Sequence, residues 1–198
     1  MSFTDYTTKP GNNHPHHAIE LTQFITSETK AKEFSEKLAA YPQYELNSGG
    51  RHGLTVLASA ALHGNVDLID HIVKLDKSLL YVQDYSGRSP LHCACEKETG
   101  FFAARKLIQL GTPVNIISKT NGAESETPLD TALHKKGTNI AHMLLRMGGK
   151  TQTMSDTPEY EAAKKEMMTK QEKLFKMGLQ NQFPKDVLNY ILQISART

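Results

Sequence analysis

The sequence predicts an all-α fold built from repeated helix-turn-helix units. The first observation is an internal repeat, because the order of residues that starts at Gly53 returns at Gly87, 34 positions later. The second is that apolar residues recur every three or four positions late in each copy, as on one face of a helix. The third is a glycine after these segments, at Gly111 and Gly148, where a left-handed residue can close a helix. A period of this length is typical of stacked repeat proteins.

Three copies of the repeat align at the start of their first helix. Thr55, Ser89 and Thr127 each supply a hydroxyl that can cap a helix. Pro90 and Pro128 follow at the first helical position, where the fixed φ of proline fits. The third copy begins 38 residues after the second, which predicts a few inserted residues in the loop before it.

A second apolar segment follows in every copy and predicts a second helix. Its residues are Leu68, Ile69, Ile72 and Val73 in the first copy, Ala104, Leu107 and Ile108 in the second, and Ile140, Met143, Leu144 and Leu145 in the third. The insertion before the third copy is expected in the loop 118–125. In the second copy, residues 97–100 contain one extra residue, which predicts an irregular turn between the two helices.

These residues resemble the ankyrin repeat, whose signature runs G-x-T-P-L-H-x-A-A-x-x-G-H and, after an apolar helix, L-L-x-x-G-A-x-x-N. The second copy matches best, through Gly87, Ser89, Pro90, Leu91, His92, Ala94, Leu107, Ile108, Gly111 and Asn115. The first copy has Val56 in place of the proline and Ala58 in place of the histidine, and the third has Asp130 in place of the histidine. The resemblance implies an ankyrin-repeat solenoid of helix-turn-helix units joined by hairpin loops.

The resemblance also divides the chain into three parts. They are a flexible leader over 1–17, an ankyrin repeat domain over 18–150 and a C-terminal helical extension over 151–198. The domain is expected to contain a degenerate cap over 18–49 and clear repeats over 50–83, 84–117 and 118–150. Because a repeat cannot bury its own apolar face, the cap is needed at the open end of the stack.

Helices are also predicted on both sides of the clear repeats. In the cap they span Ala18 to Ile25 and Ser27 to Ala40. In the extension, Thr157 and the proline after it predict a helix start, and the helix is expected to reach about Met177.

Composition and charge exclude several classes of function. With 23 Lys and Arg against 21 Asp and Glu, the formal net charge of +2 gives no general attraction to nucleic acid or membrane. Cys93 and Cys95 point apart on a helix, so no disulfide is expected and a reducing compartment is favoured. No basic-then-apolar leader and no long apolar window is present, so we expect a cytoplasmic protein without membrane insertion. Secretion into a host cell by a route that needs no conventional signal peptide is the alternative.

No metal, cofactor or catalytic site is predicted, so the chain is not expected to be an enzyme. His14, His16 and His17 cluster, but no cysteine or acidic residue stands at ligand spacing. His92 and Cys93 are adjacent on one helix, where neighbouring side chains diverge and cannot form a base and nucleophile pair.

For function, the resemblance implies that a monomeric adaptor binds another, unidentified protein on a concave surface of hairpin tips and first helices. The hairpin positions are Arg51, His52, Leu54, Tyr85, Ser86, Arg88, Glu124 and Ser125. The helix positions are Leu62, His63, Glu96, Lys97, His134 and Lys135. Tyr85, Arg88 and Arg51 are expected to contribute most, because aromatic and arginine side chains often dominate interface energies. The small array with divergent capping helices is also similar to bacterial effectors that act in a host cell.

An alternative function comes from the end of the chain, which resembles the opening of an F-box and the related boxes that follow ankyrin arrays in poxviral proteins. The matching residues are Phe183, Pro184, Asp186, Val187, Leu188, Ile191 and Leu192. In that family the segment contacts a Skp-type adaptor of a ubiquitin ligase, which would make this chain a substrate adaptor. The resemblance covers about ten residues, and a plain capping helix is the other interpretation.

Overall fold

The computed structural model describes residues 15–41, 46–118, 125–153 and 155–176, with side chains for 17–41, 46–118, 125–153 and 155–170. Within these ranges every regular element is helical, which confirms the predicted all-α class. The α-helices are α1 (Pro15–Phe24), α2 (Ala31–Ala39), α3 (Val56–Leu62), α4 (Val66–Leu75), α5 (Pro90–Ala94), α6 (Phe101–Leu110), α7 (Pro128–His134), α8 (Thr138–Arg146) and α9 (Pro158–Lys176). The contacts divide the chain into two units, Met1–Ser155 and Asp156–Thr198.

The helices of the first unit form two rows. In one row α1 contacts α3, α3 contacts α5 and α5 contacts α7. In the other row α2 contacts α4, α4 contacts α6 and α6 contacts α8. The rows are joined where α3 meets α4, α5 meets α6 and α7 meets α8. The apolar core lies between the rows and includes the fully buried Leu57, Leu68, Leu91, Leu107 and Leu129.

The predicted helix caps are present in all three copies. Thr55 Oγ1 accepts a hydrogen bond from the N–H of Ala58 at 3.2 Å. The hydroxyls of Ser89 and Thr127 likewise accept from the backbone three residues later. Each cap satisfies one of the free N–H groups of a first helical turn.

Hydrogen bonds between neighbouring helix pairs join residues about one repeat length apart. Asn115 donates to the carbonyl of Gly148, a sequence separation of 33, and Gln83 donates to the carbonyl of Ile117, a separation of 34. Nearer the N-terminus, Ser59 Oγ donates to a carbonyl 37 residues earlier. The period seen in the sequence is therefore also the register in which successive helix pairs are bonded.

The helix-ending glycines and the irregular turn are found where the sequence predicts them. Gly111 and Gly148 have left-handed φ values of 108° and 82°, and Gly111 closes α6. In the second copy a 3-10 turn, Glu98–Gly100, separates α5 from α6.

The N-terminal helical pair has different boundaries from those predicted. α1 begins at Pro15 instead of Ala18, so three residues of the predicted leader are helical. α2 begins at Ala31 instead of Ser27, because Thr29 Oγ1 accepts from the N–H of Thr26 at 2.9 Å in a turn that separates the two helices. Residues 1–14 lie outside the described residues.

The second unit contains α9, and its start agrees with the predicted cap. Thr157 Oγ1 accepts from the N–H of Tyr160 at 3.3 Å, and Pro158 occupies the first helical position. The helix is described to Lys176, close to the predicted end. Among the described residues, no helix combines the length and the apolar character that a bilayer span requires.

Candidate protein-binding surface

Three loops precede α3, α5 and α7, and each is closed by one backbone hydrogen bond. The bonds run from Gly50 N–H to Leu54 O at 2.9 Å, from Asp84 N–H to Arg88 O at 2.9 Å, and from Ser118 N–H to Glu126 O at 2.8 Å. We call residues 50–54 and 84–88, together with the described ends of the third loop, Ser118, Ser125 and Glu126, the tip loops. The insertion expected over 118–125 and the candidate Glu124 fall on residues 119–124, which lie outside the described residues, so this expectation stays a prediction.

The second tip loop is organised by Asp84, whose side chain is only 1% exposed. Its carboxylate accepts from the N–H groups of Ser86 and Arg88, both at 2.9 Å. The guanidinium of Arg88 adds a charged contact, with Nη2 at 2.9 Å from the same carboxylate. Because these bonds span the whole loop, they hold it in one conformation. The sequence analysis did not select Asp84, although an aspartate two residues before a turn is a common loop signal.

Tyr85 is an exposed aromatic residue fixed between two tip loops. Its N–H donates to the carbonyl of His52 at 3.0 Å. Its ring lies against Gly53, where a Cβ atom would come within 2.6 Å of the ring and where φ is +77°. The residue is nevertheless 65% exposed. Tyr85 is therefore bonded through its backbone and supported on one side of its ring, while most of its surface faces solvent.

Three of the predicted binding residues are joined in one ion-pair network. Arg88 Nη1 lies 2.6 Å from Glu96 Oε1, and Lys135 Nζ lies 3.1 Å from Glu96 Oε2. The network connects the second tip loop to the ends of α5 and α7. These three side chains are therefore paired with one another, and their role in binding a partner stays a prediction.

Most of the other candidates lie at the surface. Arg51, His52, His63, Ser86, Lys97, Ser125 and His134 are exposed, and Leu54 and Leu62 are half-buried. His134 Nδ1 lies 3.0 Å from Glu126 Oε1, a partner that the sequence analysis did not select. His63 Nδ1 bonds to the carbonyl of Ser59 at 2.9 Å. We call this surface, made of the tip loops and the C-terminal ends of α3, α5 and α7, the tip-loop face.

A buried histidine links the second copy to the third beneath the tip-loop face. His92 Nδ1 accepts from the N–H of Ser89 at 3.1 Å, which leaves the proton of the neutral ring on Nε2. Nε2 lies 3.1 Å from the carbonyl of Glu126 and donates to it. Burial lowers the pKa of His92 to about 4, so the ring is neutral near pH 7.

Asp130 occupies the equivalent position in the third copy and is also fully buried. Its Oδ2 accepts from the N–H of Thr127 at 2.8 Å and from the N–H of Gln152 at 2.9 Å. The carboxylate therefore holds the segment after α8 against the third helix pair.

The two cysteines are free and buried. Burial raises the pKa of the Cys93 thiol to about 12 and raises that of Cys95 further above its usual range. Both side chains therefore stay protonated, which makes them poor nucleophiles and poor metal ligands. Among the described residues, no group of three or more His, Cys, Asp or Glu side chains is arranged to hold a metal ion.

The alternative adaptor site lies outside the described residues. Its members are Phe183, Pro184, Val187, Leu188, Ile191 and Leu192. The F-box-like interpretation of this segment therefore stays a prediction.

Comparisons with known proteins add no family assignment. No protein-family model matches the chain. No curated protein matches it either. The resemblance to the ankyrin repeat therefore depends on the residues and contacts described above.

Proposed function

We propose that the first unit is an ankyrin-repeat stack that binds another protein on its tip-loop face, without catalysis. The two rows of helices, the three equally closed tip loops and the repeat-length hydrogen bonds support the repeat assignment. The buried His92, which bonds to its own copy and to the next, supports it as well.

Exposed Tyr85 is the observation that carries the binding role. A tyrosine offers a large amphipathic surface, and tyrosines are enriched among the residues that dominate interface energies. Tyr85 is 65% exposed, yet its backbone is bonded to His52 and its ring lies against Gly53. Because these contacts restrict the side chain, Tyr85 would lose little conformational entropy when a partner packs against it.

Arg88 has a different part in this proposal from the one the sequence suggests. Its guanidinium is bonded to Asp84 and Glu96, so it supports the second tip loop and connects it to α5. Replacing Arg88 would leave the buried Asp84 without its cation and would disturb the loop that presents Tyr85. Arg88 variants therefore test loop stability more than contact with a partner.

The test compares Tyr85→Ala with a matched control, Phe102→Ala. Phe102 is also an exposed aromatic, at 58%, but it lies on α6 in the other row of helices. Full-length wild type and both variants are immobilised, and proteins recovered from candidate cytosols are identified and titrated. We expect Tyr85→Ala to weaken binding of the recovered partner by about tenfold or more, and Phe102→Ala to leave it unchanged.

Equal recovery by all three proteins would contradict the proposal. Circular dichroism melts of the variants show whether a loss reflects unfolding. Both substitutions remove an exposed aromatic ring. A difference in binding between the two variants therefore reflects the position of the ring on the fold.

We further propose a cytoplasmic site of action. The support is that Cys93 and Cys95 are free thiols, as is usual in a reducing compartment. Fractionation of source cells with an antibody against the chain tests the location. Recovery of the chain in the cytosol of an infected host cell would favour the effector alternative instead.

A further inference from the structure

The charges of the tip-loop face are divided between engaged anions and free cations. Glu96 is paired with two cations and Glu126 with His134. The buried Asp84 is taken up by its own loop. At the edge of the face, Glu98 Oε1 accepts from a backbone N–H of α8 at 3.1 Å. Each described carboxylate of this surface therefore already has a partner.

Three cations on the same face are not engaged. The side chains of Arg51, Lys97 and Lys136 are exposed, and none forms an ion pair or side-chain hydrogen bond within the part of the chain that the structure describes. Arg51 precedes His52, the residue bonded to Tyr85. Lys97 and Lys136 directly follow the bridged pair Glu96 and Lys135, beyond the C-terminal ends of α5 and α7. The uncommitted charge on the described part of the face is therefore positive, both in the first tip loop and at these helix ends.

The backbone at Lys136 adds to this arrangement. Lys136 has φ of 58°, and the first copy has Gly64 at the same position, with φ of 70°. A left-handed conformation is unfavourable for a residue with a side chain, and such conformations are found preferentially at functional positions. The third copy thus has an exposed cation where a glycine would fit with less strain.

We propose that the tip-loop face binds an acidic segment of a partner protein. Asp and Glu side chains of the segment pair with Arg51, Lys97 and Lys136, and an apolar residue of the segment packs on Tyr85. This inference rests on the proposed function and adds the chemistry of the partner to it. Complementary charges of this kind set specificity and speed of association more than they set affinity.

A protein segment fits this surface better than a nucleic acid does. Glu96 and Glu126 lie among the cations, and a continuous phosphate backbone would pass over both carboxylates. Single strands are usually held by a series of stacked aromatics, whereas Tyr85 is the one large exposed aromatic on the described part of this face. A peptide, in contrast, can place its carboxylates opposite Arg51, Lys97 and Lys136 and keep them away from Glu96 and Glu126.

The test selects peptides from a displayed random library with the full-length chain. We expect the enriched peptides to carry excess Asp and Glu and to bind less tightly as ionic strength rises. Synthetic copies are then titrated against Arg51→Glu/Lys97→Glu/Lys136→Glu, which we expect to weaken binding by about tenfold or more. The matched control is Lys30→Glu/Lys32→Glu/Lys77→Glu, which reverses three exposed cations of the first unit outside the face and should leave affinity unchanged.

Several results would overturn the inference. They are failure to enrich any peptide, enrichment without an acidic excess, and equal effects of the two triple variants. A single-stranded oligonucleotide that carries the same charge as the peptides and displaces them with equal affinity would overturn the choice of a protein partner. If Tyr85→Ala abolishes binding but the triple variant on the face does not, the proposed function survives and the acidic partner does not. If neither change matters, both fail.

Discussion

His92 and Asp130 occupy the same position in two successive helix pairs, and each side chain accepts a hydrogen bond from the backbone N–H three residues before it. His92 Nδ1 accepts from the N–H of Ser89 at 3.1 Å. Asp130 Oδ2 accepts from the N–H of Thr127 at 2.8 Å. Both residues close the first turn of a helix, so a histidine and an aspartate are interchangeable on this side.

Their second partners differ in hydrogen-bond polarity. His92 Nε2 donates to the carbonyl of Glu126, in the tip loop of the next helix pair. Asp130 accepts from the segment that follows α8, with the same Oδ2 from the N–H of Gln152 and with Oδ1 from the N–H of Thr153 at 3.4 Å. The position therefore holds a donor where another tip loop follows and an acceptor where the segment after α8 follows. A further tip loop that presents a carbonyl would meet the carboxylate of Asp130 unfavourably.

Among the substitutions considered, His92→Asp should have the largest effect on the free energy of unfolding. The carboxylate can still cap the helix, as Asp130 does, but its outer oxygen would face the carbonyl of Glu126. We expect the free energy of unfolding to fall by about 4 kcal/mol, the usual cost of an unpaired buried charge. Urea denaturation at neutral pH measures the loss. The neutral His92→Asn should lose about 2 kcal/mol, and equal losses for the two variants would show that polarity is not the cause.

Acid should weaken the junction that His92 makes between the second and third helix pairs. Burial lowers the pKa of His92 from 6.5 to about 4, so the unfolded chain binds the proton more readily than the folded chain does. The contribution of neutral His92 to the free energy of unfolding is therefore fully present above pH 6.5. It is lost as the pH falls toward 4, by about 3 kcal/mol in total. Chemical denaturation across this range should show the slope in wild type and a flatter one in His92→Gln.

Another carboxylate serves as a check on that pH range. Hydrogen bonds from Lys106 and Lys74 lower the pKa of Asp70 below 3.8. Its stabilising contribution is therefore kept until the pH falls below that of the His92 transition. A slope that is unchanged in His92→Gln would assign the acid effect to groups other than His92.

Asp130→His reverses the exchange at the end of the array. The neutral ring has one acceptor nitrogen, which can still bond to the N–H of Thr127 but leaves the N–H of Gln152 without its acceptor, and a buried donor without a partner costs about 2 kcal/mol. Hydrogen exchange should show faster exchange of the Gln152 amide. Asp76→His is the control, because Asp76 accepts from Ser78 N–H at an exposed site. Full protection of Gln152 in Asp130→His would contradict the role of the carboxylate.

The smallest expected effect is in the network above these two positions. A double-mutant cycle with Glu96→Gln and Lys135→Met should give a coupling of about 0.5 kcal/mol, as for partly exposed ion pairs. The control pair, Lys32 and Glu36, is 3.8 Å apart and far more exposed, and it should give no measurable coupling. Equal couplings would mean that the network does not connect α5 to α7.

Local features could be predicted from the sequence because nearby residues create them. A hydroxyl before Pro90 or Pro128 is sufficient to cap a helix, and both caps are found. At Pro15, where α1 begins, the preceding residue is His14, which has no capping hydroxyl, and the predicted helix started later. The sequence also shows that position 130 is an aspartate, but the structural role of this carboxylate depends on the hydrogen bond that it accepts from Gln152.

Other features depend on residues that are far apart in the chain. The turn that separates α1 from α2 is held by Asn65, whose side chain donates to the carbonyls of Thr26 and Thr29 at 2.9 and 2.8 Å. No local pattern between those two threonines contains that information. Likewise Arg88 and Glu96 were identified as surface residues, but their pairing depends on the packing of a loop against two helix ends.

The closure of the third tip loop has a practical consequence. Ser118 and Glu126 are joined twice, by the 2.8 Å backbone bond and by a 2.9 Å bond from Glu126 N–H to Ser118 Oγ. The two ends of the insertion are therefore anchored independently of what lies between them. Because loop-closure entropy grows only with the logarithm of loop length, added chain there costs little. This position is suited to a fluorescent reporter for tests of the proposed binding, because the helices keep their packing.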